Sequence, residues 1–143
     1  MNELSNDLER FVEAQKWNYE NALSELKTGR KRSHWMWYIF PQMRGLGRSP
    51  MAEIYGIADL AEAREYLAHD ILGSRLREVC GVILNLSTSD AVEVFGDIDS
   101  LKLKSSMTLF DLVAPNDVFA QVLEKYYHGK RDINTLKLLE GKI

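Results

Sequence analysis

The sequence predicts an all-α fold, a single irregular bundle of about eight helices formed by residues 1–143 as one domain. Three observations predict it. Apolar residues recur at three- and four-residue spacings along most of the chain, the period of one helix face. Alternating, strand-like runs are scarce. Helix-boundary signals also fall between the periodic segments: Ser49-Pro50, Asp59-Leu60-Ala61-Glu62 and Ser89-Asp90 as starts, Gly29 and Gly96 as stops.

Taken in order, the first helix is expected from Asn6 to Lys27, with Gly29 beyond its end. Its apolar stripe comprises Leu4, Leu8, Phe11, Val12, Tyr19, Ala22, Leu23 and Leu26, with Gln15 in the middle, and Arg10, Trp17 and Asn21 lie opposite. Ser33 to Pro41 reads as a short helix, with a strand as the alternative. Residues 42–48, with Gly45 and Gly47, form a loop. Ser49 caps a helix that begins on Pro50 and runs through Tyr55. Asp59 opens a capping box with Glu62, and that helix continues to Ala68. After a break at His69-Asp70, a longer helix turns Leu72, Leu76, Val79, Val82, Ile83 and Leu86 inward. A short helix ends at Gly96, Asp97 to Val113 forms the next, and Pro115 stops it. Asp117 to Tyr127 and Asp132 to Leu139 complete the bundle.

Composition narrows the function classes. With 45% hydrophobic residues, the chain can bury a core without staples. Cys80 is the only cysteine, so no intrachain disulfide forms; its setting, Val79-Cys80-Gly81-Val82-Ile83, marks a small core residue. No cysteine pair or histidine cluster spells a metal site, and no cofactor motif is present. Met1 to Asp7 is polar and acidic, unlike a secretory signal. The strongest apolar run, Trp35 to Phe40, is far short of the ~20 residues that span a bilayer. The expectation is a cytoplasmic protein with no membrane partner.

The net charge of −3 conceals an asymmetry. No acidic residue lies between Glu25 and Glu53, a stretch that carries Lys27, Arg30, Lys31, Arg32, Arg44 and Arg48; without these six cations the −3 becomes −9. A basic segment on an acidic protein points to an anionic ligand held at one place rather than to general nucleic-acid binding. A solvated loop is the plainer reading.

Three features are candidates for chemistry. Gln15 on an apolar stripe needs partners, whether a neighbouring helix or a pocket ligand, because an unpaired buried amide costs about 1–3 kcal/mol. His34-Trp35-Met36-Trp37-Tyr38 is dense in aromatics beside Lys31 and Arg32 and serves either as core or as a stacking surface near a phosphate site. The third is the helix holding Asp99, Lys102, Ser105, Ser106 and Thr108. It is apolar nearly all round, with only the sector of Lys104 and Asp111 reading as solvated, so it should be central. Lys102 then requires either a carboxylate, for which Asp99 is the local candidate, or a bound anion.

Several blocks resemble an uncharacterised bacterial family, domain of unknown function 1810, sometimes labelled calpastatin by automatic transfer. They are Arg10 to Gln15, Gly29 to Gln42, Gly45 to Ser49, Tyr66 to His69, Leu72 to Leu76, and Phe95-Gly96 followed by Asp99, Lys102 and Ser105 to Phe110. The resemblance covers essentially the whole chain and implies an α-helical protein. Nothing in the sequence supports the calpastatin label, since that inhibitor works through disordered repeats. More distantly, Glu9-Arg10-Phe11-Val12-Glu13-Ala14-Gln15-Lys16-Trp17 is similar to the Glu-His-Tyr-Phe-Gln-Ala-Gln-Lys-Phe motif of the NADAR group, which is associated with NAD and ADP-ribose metabolism.

The NADAR resemblance implies cleavage of an N-glycosidic bond to ribose, with Glu9 in the place of the leading glutamate. Glu9 lies off the centre of the buried stripe, a departure for a site residue. On this reading the protein binds or hydrolyses a nucleotide or ADP-ribose-like ligand. Glu9 or Glu53 supplies the carboxylate that stabilises an oxocarbenium-like transition state, and His34 is a candidate acid or base. Lys31, Arg32 and Lys102, with Asp99 beside it, hold phosphates; Trp35 or Trp37 stacks; Gln15 and Ser106 meet ribose hydroxyls. These groups are expected to converge on one anion-friendly hollow. The alternative is a non-catalytic helical interaction protein acting as a homodimer through an exposed Trp17.

Overall fold

The computed structural model describes residues 7–140. Among them are nine helices: α1 (Glu9–Lys27), α2 (Met36–Ile39), α3 (Pro50–Tyr55), α4 (Leu60–Ala68), α5 (Asp70–Leu84), α6 (Ala91–Phe95), α7 (Asp97–Val113), α8 (Val118–Tyr127) and α9 (Ile133–Glu140). The described residues form no sheet; a single parallel bridge joins Met43 and Ile57. The expected all-α class and element order hold, and the 33–41 segment contains no strand but a helix confined to Met36–Ile39, shorter than the expected Ser33 to Pro41. Leu4 and the expected start of the first helix at Asn6 lie outside the described residues.

Local chemistry sets the boundaries. The Ser49 hydroxyl accepts from Ala52 N–H at 3.1 Å, with Pro50 in the first turn. Asp59 accepts from Glu62 N–H at 2.8 Å. Glu62 returns its carboxylate not to Asp59 but to Ala58 N–H at 2.8 Å, and also takes Arg10 at 2.9 Å. Arg10 therefore ties α1 to the corner between α3 and α4, where it also donates to Gly56 O at 2.9 Å. His69 makes the next corner: its Nδ1 accepts from Ile71 and Leu72 N–H at 3.1 and 3.2 Å, opening α5. One turn on, Gly73 lies against the Leu67 carbonyl, where an added Cβ would sit 2.1 Å from the oxygen.

Helix α7 is the hub and packs against α4, α6, α8 and α9. Every residue from Ser105 to Asp111 is buried. Phe110 stands between Tyr66 and Phe119 at ring separations of 5.4 and 5.7 Å. The helix was expected to be central, but its open sector is not where the sequence placed it. Asp111 is only 5% exposed and pairs with Arg131 at 2.6 Å, while Lys104 is half-buried over the Tyr127 ring. The open sector instead carries Ile98 and Leu101, 71% and 66% exposed, beside Lys102. Cys80 is sealed against Met107, sulfur to sulfur at 3.7 Å, and burial pushes its thiol pKa up.

Candidate ligand cleft

A cleft of about 270 Å³ opens beside α7. Its α7 wall is the helical stripe Ile98, Leu101, Lys102 and Ser105. Gln42, Leu46 and Gly47 supply a second wall, and Asp132 and Asn134 at the start of α9 close the third side. The loop wall is fixed from behind: Ile57 N–H donates to Gln42 O at 2.9 Å and Arg44 N–H to Ile57 O at 2.8 Å. Gly45 holds φ at 106°, a left-handed conformation that lets the loop turn back over Leu138. Gly47 lies so close to Ala52 that a Cβ would come within 2.7 Å of that methyl.

Lys102 and Gln42 also line a narrow slot of about 10 Å³, room for one water-sized group, formed with Trp37, Met36, Phe40, Ala52, Tyr55 and Gly56. The Lys102 ammonium sits over the Trp37 ring, 5.2 Å from its centroid. Trp37 Nε1 is buried and has no hydrogen-bond partner among the described residues.

Charge behind the cleft is organised around Asp99. Its Oδ2 meets Lys31 at 2.8 Å, whereas its Oδ1 stands 3.8 Å from Lys102. The cleft carboxylate, Asp132, turns Oδ2 into the first turn of α9, where Thr135 N–H, Thr135 Oγ1 and Ser105 Oγ donate at 2.9, 2.6 and 3.1 Å.

The sequence-predicted residues divide accordingly. Lys102, Trp37 and, behind them, Asp99 and Lys31 come together. Gln15 does not join them: it is 1% exposed, donates to Tyr38 O at 2.7 Å and to Tyr66 Oη at 3.1 Å, and accepts from Arg75 at 3.4 Å. It is the helix-to-helix amide, and the expectation that α1 and α7 share one hollow is corrected on this point. Trp35 is sealed in the core with its indole N–H on Glu25 at 2.9 Å, so it offers no stacking face. Ser106 is fully buried with an unpaired hydroxyl, and Ser105 takes the cleft position instead. Glu9, His34, Glu53 and Arg32 are exposed and line neither the slot nor the cleft.

The six cations of the acid-free stretch do not converge either. Arg44 donates to Glu53 O at 3.0 Å, Lys31 is bound to Asp99, and Lys27, Arg30, Arg32 and Arg48 are exposed. Part of this turn folds back onto Glu25, which the sequence reading passed over. Its carboxylate accepts from Arg32 N–H, Ser33 N–H, Trp35 Nε1, Ser33 Oγ and Asn21 Nδ2 at 2.6–2.9 Å. Burial alone would raise its pKa; the donors from Ser33, Arg32 and Trp35 outweigh that and hold it at about 2. This node carries the chain from α1 into α2 and so sets where Trp37 stands.

Trp17 is 77% exposed, as expected, but its neighbours Glu13, Lys16 and Glu20 on the outer face of α1 are polar, so the helix presents one ring rather than an apolar patch. No group of His, Cys, Asp or Glu side chains among the described residues is arranged to hold a metal ion, and no helix among them is long and apolar enough to cross a membrane.

Residues 5–139 match a family model described as a protein of unknown function, DUF1810. The crystal structure of the conserved hypothetical protein Rv1873 from Mycobacterium tuberculosis is similar, with 50% sequence identity and a TM-score of 0.92 over 94% of this chain and 97% of that one. No curated protein matches the sequence.

Proposed function

The chain belongs to the DUF1810 family of unknown function, and from the geometry of its cleft we propose that it binds a small anionic ligand of about mononucleotide size. The observation that carries this reading is Lys102. It faces both slot and cleft, it is packed on an aromatic ring, and its nearest carboxylate lies 3.8 Å away while holding another lysine at 2.8 Å. A cation so weakly paired in a concave site favours a phosphate or carboxylate guest.

The remaining walls suit the body of such a guest. Leu46, Ile98 and Leu101 offer apolar surface to a ring, and Gln42, Asn134 and Ser105 offer polar contacts at its edges. At about 270 Å³ the cleft falls just below the ~300–1,000 Å³ usual for ligand pockets, which favours a mononucleotide over a dinucleotide. The reading is one of binding rather than glycosidic cleavage: neither Glu9 nor Glu53 lines the cleft, and Asp132 is engaged with the start of α9.

The test is a thermal-shift and calorimetric titration with AMP, ADP-ribose, NAD and inorganic phosphate. AMP at a hundredfold excess over its Kd is expected to stabilise the protein by about 2.7 kcal/mol, and Lys102→Met to weaken binding by roughly tenfold or more, as loss of a charge-assisted contact does. No shift with any of the four compounds would falsify the reading.

A further inference from the structure

We infer that Lys31, which does not line the cleft, is a positioning residue that keeps Lys102 available to an anion by occupying Asp99. The inference rests on the ligand-binding reading of the cleft and adds how its charge is set. Lys31 is the more deeply buried of the two lysines, with 8% of its side chain exposed against 24% for Lys102. Its ammonium is fully engaged: Asp99 Oδ2 at 2.8 Å, Ser33 O at 2.6 Å and the Trp35 ring at 5.1 Å. Its backbone is fixed as well, with Lys31 N–H on Val94 O at 2.8 Å and the next two residues bound to Glu25.

A buried ammonium without a counter-charge is strongly unfavourable, so Asp99 is committed to Lys31. At 3.8 Å its other oxygen lies beyond hydrogen-bond reach of Lys102. The three groups carry two positive charges and one negative, and the surplus stands at the more exposed lysine, the one that lines the cleft. Without Lys31, Asp99 becomes a full partner for Lys102 and competes with any anion there. The basic turn thus contributes to the site by engaging the carboxylate, not by touching the guest.

The experiment measures AMP affinity by calorimetry for the full chain and for Lys31→Met, Lys31→Arg, Asp99→Asn and the double variant Lys31→Met with Asp99→Asn, each checked for folding by its far-ultraviolet spectrum. Lys31→Met is expected to bind roughly five- to tenfold more weakly and Asp99→Asn at least as tightly as the parent. The double variant restores the surplus charge and should return to within about twofold of the parent, as should Lys31→Arg. A purely structural lysine predicts no such recovery. If Lys31→Met does not fold, the double variant and Asp99→Asn decide: weaker binding by both overturns the inference. Parent protein that takes up neither AMP nor any of ADP-ribose, NAD and inorganic phosphate overturns the reading of the cleft and this inference with it; where one of the other three binds in place of AMP, the same variants are titrated with that compound. Parent that binds AMP, loses it with Lys102→Met and is indifferent to Lys31→Met overturns the inference alone.

Discussion

Replacing Glu25 with alanine is expected to cost about 4 kcal/mol of stability, enough to bring a domain of this size close to its unfolding threshold. Five donors converge on this carboxylate. Two are backbone N–H groups and one is the indole of Trp35, itself 1% exposed. Removal leaves these without an acceptor, and a buried unpaired donor costs about 1–3 kcal/mol. Glu25→Gln keeps one acceptor oxygen and should cost about half as much.

The same residue predicts a pH dependence with a definite sign. The folded pKa lies below the ordinary value of 4.5, at about 2. Its contribution is therefore complete above pH 4.5 and is lost as the pH falls toward 2, because the unfolded chain takes up the proton first. Urea denaturation of the parent between pH 5 and pH 2 should show this loss, and Glu25→Gln should flatten that part of the profile. Equal slopes in the two proteins would contradict the assignment.

Gly73→Ala should be nearly as damaging, at about 3 kcal/mol or more, with a fall in Tm of roughly 10 °C. The new methyl would sit 2.1 Å from the Leu67 carbonyl oxygen. No rotamer relieves a Cβ contact, and the oxygen belongs to the last turn of α4, so relief requires moving one helix off the other. Both helices are anchored: α4 and α5 pack against each other, α4 also meets α7, and α5 also meets α1 and α8. Gly81 is the internal control. It lies in the same helix and an added Cβ there meets nothing within 4 Å. Gly81→Ala should leave Tm unchanged or raise it, since alanine is favoured in a helix by about 1 kcal/mol. A melting comparison of the two variants checks both statements.

The helices were legible because their signals are local. Ser49, Asp59 and Asp90 each cap the helix that follows through side-chain bonds spanning two or three residues, and such bonds can be read from spacing. The site was less legible because its geometry is set over long range. Gln15 looks the same on a helical wheel whether its amide meets a guest or Tyr38 and Tyr66; only the docking of α1 on α2 and α4 decides. Glu25 reads as one more solvated glutamate until the basic turn folds back over it.

One signal was present and misread. Ile98, Leu101, Lys102 and Ser105 recur at a helical spacing, and an apolar stripe interrupted by a lysine and a serine is the pattern of a helix that walls a cleft. A helical wheel groups Ser106 with Asp99 and Lys102 on one side and so favours Ser106 over Ser105, whereas it is Ser105 that lines the cleft. Gln42 and Asn134 carried no local signal, since a loop residue and a residue in the first turn of α9 meet the α7 stripe only once the chain has folded.

The three tryptophans occupy three different surroundings: Trp17 is bathed in solvent, Trp35 is enclosed with its N–H on a carboxylate, and Trp37 lies half-covered beneath the Lys102 ammonium. The protein thereby carries its own optical reporters. Replacing Trp17 by phenylalanine would silence the red-shifted, quencher-accessible emitter and leave two indoles. One of these reports on the integrity of the turn after α1, and the other on whatever displaces or joins the ammonium above it.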